Sequence, residues 1–289
     1  AALWKSQYGQ DVDGVVGIDP VFLQYLLGLV GNVSLPDGTV VDGTNAAKVL
    51  MHDVYWNYPV EESDGIFAAV ASAAFDKILG GIGDVDVTKL VGAFERGAEE
   101  GRLIAWMRND DEQNAIKETG IDASLPDPDD PSADPVAGVY FNNLSFSKLD
   151  WYLNADTQIG QGIKNGDGTC SYHITVTLTN IMTQEEAGKL PDYVAASAPD
   201  AARDDERLNV SLFAPTGGNI SDLTVEGTQF GLGAATWHGI PFYSGTVDLH
   251  AGETTTITYT LTTSAEAGDK PLTLRQTPTC QAARDSASA

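Results

Sequence analysis

Seven stretches of alternating polar and apolar residues follow one another through the second half of the chain, and they constrain its fold more than any other feature. Segments rich in Gly, Asn, Asp and Pro separate these stretches, which span residues 136–142, 171–180, 208–214, 219–225, 246–249, 254–262 and 272–276. A period of two places apolar side chains on one face of a strand and polar side chains on the other. We therefore predict that residues 136–289 form an antiparallel β-sandwich, in which two sheets pack their apolar faces together.

The first part of the chain has a different pattern, in which helical and strand-like stretches are mixed. Asp19 and Pro20 are the residue types of an N-cap and a first helical position, and an apolar stretch follows them. Ser63 is expected to cap a later helix, in which apolar residues recur at helical spacing. These features predict an α/β domain over residues 1–125. For the whole chain they predict the α+β fold class.

A segment rich in proline and aspartate separates these two parts. Residues 126–135 have the sequence Pro-Asp-Pro-Asp-Asp-Pro-Ser-Ala-Asp-Pro. Proline has no amide hydrogen for a strand or helix, and aspartate favours solvent, so we predict a loop or linker here. The aspartates lack the spacing and the central glycine of a calcium loop. The sequence therefore predicts no metal site in this segment.

The chain is strongly acidic, and this excludes several classes of partner. Its formal net charge is −25, from 41 acidic and 16 basic residues, and no segment concentrates Lys and Arg. Nucleic acids and anionic membrane surfaces require basic contacts, so neither is an expected partner. Gly28 and Asn32 interrupt the longest apolar stretch before it reaches the length of a membrane helix.

The two cysteines lie far apart in the sequence, at Cys170 and Cys280. Neither belongs to a Cys-x-x-Cys pair, and two thiols are too few for a four-cysteine zinc site. We predict a disulfide that joins two neighbouring strands, which implies an oxidising compartment. Two unpaired buried thiols are the alternative.

No motif for nucleotide binding, serine hydrolysis or zinc proteolysis is present, so the sequence identifies no catalytic residue and no cofactor. The four histidines fall in different predicted elements, and we predict no metal site. Trp237 and His238 are adjacent and Tyr243 is close by, which makes a candidate surface for stacking on a sugar ring. Packing in the core or at a sheet edge is the more common role for aromatic residues in a sandwich.

Several motifs occur in an order that resembles a known family. Residues 12–20 are Val-Asp-Gly-Val-Val-Gly-Ile-Asp-Pro, residues 45–50 are Asn-Ala-Ala-Lys-Val-Leu, and residues 190–193 are Leu-Pro-Asp-Tyr. With them the chain resembles the bacterial domain of unknown function 4012 family. The resemblance implies a membrane-anchored, extracytoplasmic envelope protein with no established activity. The family pattern has an upstream portion that this sequence lacks. We therefore expect the first sheet to be incomplete at one edge and that upstream segment to be a partner.

The N-terminal half is also distantly similar to the LytR-CpsA-Psr phosphotransferases, in the order of its Val-Asp-Gly-Val-Val, Gly-Asn-Val and Gly-Thr-Asn-Ala-Ala segments. This resemblance implies the fold of enzymes that transfer glycopolymers from a polyprenyl pyrophosphate carrier to the cell wall. In such enzymes arginines hold the pyrophosphate. Residues 51–58 lack the Arg-rich pattern, and the first arginine of the chain is Arg96. A shared fold with lost or different chemistry is therefore expected. If ligand binding is retained, Asp19 and His52 mark the expected cleft.

These patterns predict a non-catalytic scaffold or binding protein of the cell envelope, with a cell-wall glycopolymer or an envelope protein as its partner. The first alternative is a polyprenyl-pyrophosphate glycopolymer phosphotransferase or a lipid-carrier binder. The second is a carbohydrate-binding module that uses Trp237. The two alternatives differ in what they require, namely exposed cationic groups in one case and an exposed aromatic face in the other.

Overall fold

The computed structural model describes residues 1–35, 37–229, 233–280 and 286–287, and it divides into two compact units, Ala1–Leu125 and Pro126–Ala289. The chain has a mixed α/β structure with several antiparallel sheets. Helices dominate the first unit and strands dominate the second.

The first unit contains four short strands and seven helices, together with one π-helical turn and one 3-10 turn, among its described residues. In chain order they are α1 (Ala2–Tyr8), β1 (Gly14–Ile18), α2 (Pro20–Val30), β2 (Val33–Ser34), β3 (Val40–Val41), α3 (Ala46–Lys48), the π-helical turn (Val49–Asp53), α4 (Val54–Asn57), α5 (Val60–Gly81), the 3-10 turn (Ile82–Asp84), α6 (Val87–Glu99), β4 (Leu103–Met107) and α7 (Asp110–Glu118).

Helix caps in this unit are partly as predicted. Asp19 caps α2, because its side chain accepts a hydrogen bond from the backbone N–H of Phe22 at 2.7 Å. Ser63 was predicted to cap the long helix α5, and this was wrong. The helix begins three residues earlier, at Val60, and Ser63 Oγ donates to the carbonyl of Pro59 at 3.3 Å. Glu61 and Glu62 fall in the first turn, where their charges favour the start of the helix.

The first sheet has only two strands, β1 and β4, which pair antiparallel with Val16 opposite Ala105. β2 and β3 form a separate two-stranded ladder. A hydrophobic cluster between α2 and α5 includes Leu27, Val41, Val54 and Val70. Within the described residues no third strand pairs with the β1–β4 sheet.

The second unit is built from twelve strands among its described residues, with one short helix and one 3-10 turn. In chain order they are β5 (Val136–Asn143), the 3-10 turn (Leu149–Tyr152), β6 (Leu153–Ile159), β7 (Ile163–Lys164), β8 (Cys170–Asn180), α8 (Gln184–Ala187), β9 (Glu206–Phe213), β10 (Asn219–Val225), β11 (Thr228–Gln229), β12 (Gly233–Trp237), β13 (Ile240–Leu249), β14 (Thr254–Thr262), β15 (Thr273–Gln276) and β16 (Ser286–Ala287).

The strands form two sheets that share one hydrophobic core. One sheet has the order β11-β10-β14-β8-β6-β16, with β7 also paired to β8, and the other has the order β12-β13-β9-β5-β15. Fully buried side chains from both sheets belong to the same cluster, including Ile174 and Ile257 from the first and Val139 and Val210 from the second. Burial of this apolar surface is the main stabilising contribution to the unit.

Two details of this unit differ from the sequence prediction. The pairings of β15 with β5 and of β16 with β6 are parallel, whereas all strands were predicted to be antiparallel. The sequence analysis also missed β6, although its buried and exposed residues alternate. Asn154, Ala155 and Asp156 have low strand propensity, and the tertiary environment of β6 overrides that propensity.

The Pro/Asp-rich segment 126–135 is a loop that hydrogen-bonds within the second unit. Thr216 Oγ1 donates to the carbonyl of Asp127 at 3.0 Å. Lys270 Nζ donates to the carbonyl of Ser132 at 2.7 Å and pairs with Asp134 at 3.1 Å. These contacts hold the loop against turns between the strands.

Gly97 permits the close packing of α6 on α2, and this generates a prediction. A Cβ atom at Gly97 would lie 2.5 Å from two ring carbons of Phe22, whereas a Cβ at Gly92 of the same helix would meet nothing within 4 Å.

We expect Gly97→Ala to lower the free energy of unfolding by about 1–3 kcal/mol. Gly92→Ala should raise it by about 0.5–1 kcal/mol, because alanine favours a helix. Urea unfolding followed by the helical circular dichroism signal, which comes mainly from the first unit, tests both. Equal effects of the two substitutions would contradict the packing argument.

Candidate functional site

The predicted site residue Asp19 belongs to a network of charged groups that we call the arginine network, formed by Asp19, Tyr25, Arg96, Glu100 and Arg102. Arg102 donates from Nη1 to Asp19 Oδ2 at 2.7 Å and from Nε to Glu100. Arg96 Nε donates to Glu100 Oε1 at 2.7 Å, and the Tyr25 hydroxyl donates to Glu100 Oε2 at 2.8 Å. The Arg96 guanidinium also lies 4.1 Å from the centre of the Tyr25 ring.

The charges of the arginine network are balanced, because two arginines face two carboxylates. Burial by itself lowers the pKa of Arg102, whose side chain is 4% exposed, but the bonds to Glu100 and Asp19 hold that pKa above its usual value. Burial by itself raises the pKa of Glu100, but hydrogen bonds from Arg96, Arg102 and Tyr25 hold it below its usual value. Arg102 and Glu100 therefore stay ionised, and the opposite charges of the network neutralise one another locally.

The predicted site residue His52 lies in the π-helical turn and is not a member of the arginine network. Its Nδ1 is 2.8 Å from Asp53 Oδ1, and Lys48 Nζ pairs with the same oxygen. The His52 ring stacks on Trp56, with ring centres 5.3 Å apart and an angle of 18° between the rings. π-helical turns are rare and often occur at functional sites. The expectation of a ligand cleft near Asp19 or His52 stays a prediction, because these contacts do not test it.

The structure brings Trp237 and His238 together but places Tyr243 elsewhere. The ring centres of Trp237 and His238 are 5.0 Å apart, and Trp237 is 53% exposed on the hairpin between β12 and β13. Trp237 pairs with Ile240, so Tyr243, three residues further along β13, faces the opposite side of the sheet. Tyr243 packs against the hydrophobic core and its hydroxyl donates to the carbonyl of Ile220 at 3.3 Å. The prediction that Tyr243 joins Trp237 in one surface was wrong.

Sequence analysis missed a row of three aromatic residues that crosses this sheet from β5 to β13. The row lies on the face opposite to Tyr243. Phe213 stacks on Phe242 with ring centres 4.8 Å apart and an angle of 9°, and Tyr140 meets Phe213 edge to face at 5.6 Å. Their positions are far apart in the sequence, so only the strand register brings them together. Because Phe213 and Phe242 stack on each other, the faces between them are closed to a ligand.

The cysteines are not joined by a disulfide in the structure, which departs from the prediction. Cys170 begins β8 in one sheet, and Cys280 follows β15 in the other sheet. The prediction assumed that the two cysteines belong to strands that are neighbours in one sheet. The strand order places β14 and β6 beside β8, and β5 beside β15, so that assumption was wrong.

A group of buried acidic residues at one end of the second unit, which we call the carboxyl cluster, was also missed by sequence analysis. It consists of Asp150, Asp205 and Glu206. Glu206 is fully buried, and neither of its carboxyl oxygens has a hydrogen-bond partner among the described residues. Asn143 donates to Asp150 at 3.2 Å, and Arg207 lies 3.3 Å from Asp205.

The environment of the carboxyl cluster favours uncharged carboxyl groups. Burial raises the pKa of Glu206 well above its usual value, and the negative charges of Asp150 and Asp205 raise it further. Burial also raises the pKa of Asp150 and of Asp205. A sequence signal for Glu206 did exist, because it falls in phase with the inward residues Leu208 and Val210 of β9.

Neither a metal centre nor a membrane span emerges from residues 1–35, 37–229, 233–280 and 286–287. Their His, Cys, Asp and Glu side chains do not gather in groups of three or more that could bind a metal ion. Their helices do not combine the length and the apolar character that a membrane crossing requires.

Glu206 gives a prediction about pH. A carboxyl group whose pKa is raised in the folded protein contributes stability that is fully present below its unfolded pKa and is lost as the pH rises through the folded pKa. We expect the stability of Glu206→Gln relative to the unsubstituted protein to increase from about pH 5 to about pH 8, by about 1.4 kcal/mol for each unit of pKa difference. Urea unfolding of both proteins across this range measures the effect. The control Glu266→Gln makes the same substitution at an exposed position of the same unit, and the increase with pH for Glu206→Gln should exceed that for this control. A stability difference for Glu206→Gln that does not change with pH would contradict the prediction.

The chain has structural neighbours, but they are too dissimilar to support an argument. One is a putative nutrient binding protein from Legionella pneumophila, with 10% identity, 46% of this chain and 45% of that chain covered, and a TM-score of 0.26. Another is a mutant M1 zinc metallopeptidase from Deinococcus radiodurans bound to a Tyr-Ser-Ala substrate, with 8% identity, 45% of this chain and 20% of that chain covered, and a TM-score of 0.19. The chain spans less than half the length of each of these proteins.

Sequence comparison gives a family match at the N-terminal end of the chain. No curated protein matches the chain. Residues 1–55, which include β1, α2 and the helices up to Tyr55, match the family model described as "Protein of unknown function (DUF4012)". The chain is therefore similar to the DUF4012 family over these 55 residues at its N-terminal end.

Proposed function

We propose that this protein is a non-catalytic, extracytoplasmic component of the cell envelope that binds a partner linked to the cell wall. In this proposal the first unit is an α/β domain of LytR-CpsA-Psr type whose chemistry has been lost. The second unit is a β-sandwich that acts as a spacer or a protein contact. Fold alone does not carry function, so the proposal depends on the residues of the site.

The arginine network is the observation that carries the non-catalytic part of the proposal. A pyrophosphate site needs cationic donors that face the ligand and are not already neutralised. Arg102 is buried between Asp19 and Glu100, and Arg96 donates to Glu100. An anionic ligand would have to displace these carboxylates, at the cost of leaving them unpaired.

The surface of the first unit supports the binding part of the proposal. Val15, Ile104 and Trp106 lie on one face of the β1–β4 sheet, and each is at least 40% exposed. Phe75 and Leu79 of α5 are about 60% exposed. Exposed apolar side chains that lie together on one sheet face favour contact with another macromolecule.

Binding of a pyrophosphate lipid distinguishes the proposal from the transferase alternative. We expect no saturable binding of geranylgeranyl pyrophosphate up to about 1 mM in isothermal titration calorimetry, because the arginines are neutralised. Saturable one-to-one binding at micromolar concentration would contradict the proposal. Loss of that binding in Arg96→Gln, with retention in Arg108→Gln, would place the ligand at the arginine network. Arg108 is the matched control because it pairs with the surface residues Asp11 and Asp13 instead.

A second candidate function, carbohydrate binding, is favoured by the exposure of Trp237. Its indole ring is half exposed at the end of a hairpin, and aromatic faces of this kind can stack on sugar rings. Tyr243 cannot contribute, since it packs against the core. The test is titration of the protein with chitotetraose, followed by nuclear magnetic resonance of the indole N–H signals. If Trp237 binds the sugar, Trp237→Ala should weaken binding by about tenfold or more, and Tyr243→Phe should leave it unchanged. If the Trp237 signal does not shift, the proposal of carbohydrate binding at Trp237 is contradicted.

A further inference from the structure

One edge of the β1–β4 sheet is open. The sheet contains only these two strands among the described residues, so the far side of β1 has no neighbouring strand. An edge strand exposes a row of unpaired N–H and C=O groups, which can pair with another extended segment.

The hydrogen bonds at the two ends of the sheet show which groups are exposed. The N–H of Arg108 donates to the carbonyl of Asp13 at 2.7 Å, and the N–H of Asp19 donates to the carbonyl of Arg102 at 3.2 Å. In an antiparallel pair every second residue faces its partner strand, so Val15 and Gly17 also face β4. The backbone groups of Gly14, Val16 and Ile18 therefore point away from β4, towards the open edge.

The opposite edge of the sheet, on β4, is protected. The N–H of Ala105 donates to the carbonyl of Ile121 at 2.8 Å. The N–H of Met107 donates to Gln113 Oε1 at 2.7 Å. These two bonds satisfy the outward N–H groups of Ala105 and Met107, so β1 provides the more accessible edge.

The side chains of β1 do nothing to block strand pairing. Residues 14–18 contain no proline, no charged residue and no bulge, which are the usual features that protect an edge strand. Val16 is 59% exposed and Ile18 is 45% exposed, on the face of the sheet that carries the buried residues Leu103 and Ala105. A third strand would cover both apolar side chains.

We propose that the β1 edge binds an extended segment of a partner protein as a third strand. The segment carries alternating apolar residues, which cover Val16 and Ile18, and basic residues at the end beside Asp13. This proposal rests on the proposed binding role of the first unit and names the partner chemistry for it. Backbone hydrogen bonds supply the affinity and the alternating side chains supply the specificity.

Charge favours a basic segment over a second copy of this chain. The side chain of Asp13 is fully exposed beside the edge, although Arg108 lies 3.7 Å from it, and the whole chain has a net charge of −25. Two copies that paired through β1 would bring two such acidic surfaces together, and their repulsion opposes association. A basic segment is attracted by the same charges.

Amide hydrogen exchange with a peptide probe tests the proposal. The probe is Lys-Lys-Thr-Val-Thr-Val-Thr-Val-Thr, and the control probe has proline in place of the two central threonines. On addition of the probe to residues 1–289 we expect slower exchange at Val16 and Ile18 and no change at Val15 and Gly17, which already face β4. The control probe should have no effect, and a probe with glutamates in place of the lysines should bind about tenfold more weakly.

Substitutions at the edge locate the binding. Val16→Pro removes an outward N–H and leaves the bonds between β1 and β4 intact, so binding should weaken about tenfold or more. Val40→Lys is the control, because Val40 is an exposed valine on β3, which belongs to the separate β2–β3 ladder. If Val16→Pro disturbs the fold, Val16→Lys is measured instead. A positive charge at the edge opposes both strand addition and the basic probe, so this variant should also weaken binding.

Three results would overturn the proposal. One is the absence of alternating protection at saturating probe, and another is equal binding by the Val16 variants and the Val40 control. The third is protection of Val16 that depends on protein concentration without any probe, which would assign the edge to a second copy. None of these results changes the expectation for geranylgeranyl pyrophosphate, so failure here is distinguishable from failure of the non-catalytic role.

Discussion

The ion pair between Asp19 and Arg102 is the interaction on which the first unit most depends. Asp19 directly follows β1 and caps α2, and Arg102 lies between α6 and β4. The ion pair therefore connects the junction of β1 with α2 to the junction of α6 with β4. Arg102 is almost completely buried, and loss of one partner would leave a buried charge uncompensated. Loss of this kind costs about 3–5 kcal/mol in buried pairs and less where one partner is partly exposed, as Asp19 is. The same pair fixes the sheet register and removes Arg102 from ligand binding.

The second unit depends instead on apolar burial between two sheets, and the carboxyl cluster lies at the end of that core. Glu206 follows the inward phase of β9, where an apolar residue would pack better. Its burial beside Asp150 and Asp205 makes the charged form unfavourable, so the unit carries a titratable group that opposes stability at high pH.

The two surfaces with functional potential differ in their physical character. The β1 edge offers unpaired backbone groups beside exposed valine and isoleucine, and it suits a polypeptide strand. The hairpin end at Trp237 offers one half-exposed indole ring, and it suits a flat apolar ligand. The net charge of −25 selects among partners at both surfaces, because it attracts basic groups and repels acidic ones.

The sequence by itself determined the features that depend on neighbouring residues. Periodicity identified strands such as β8 and β14, and residue types identified the Asp19 cap. The tertiary structure alone decided which distant residues meet. It placed Tyr243 in the core, left Cys170 and Cys280 on different sheets without a disulfide, and joined Arg102 to Asp19 across 83 positions. Propensity and periodicity act over a few residues, whereas strand order and register arise from packing over the whole unit, and so pairings of this kind follow only from the fold.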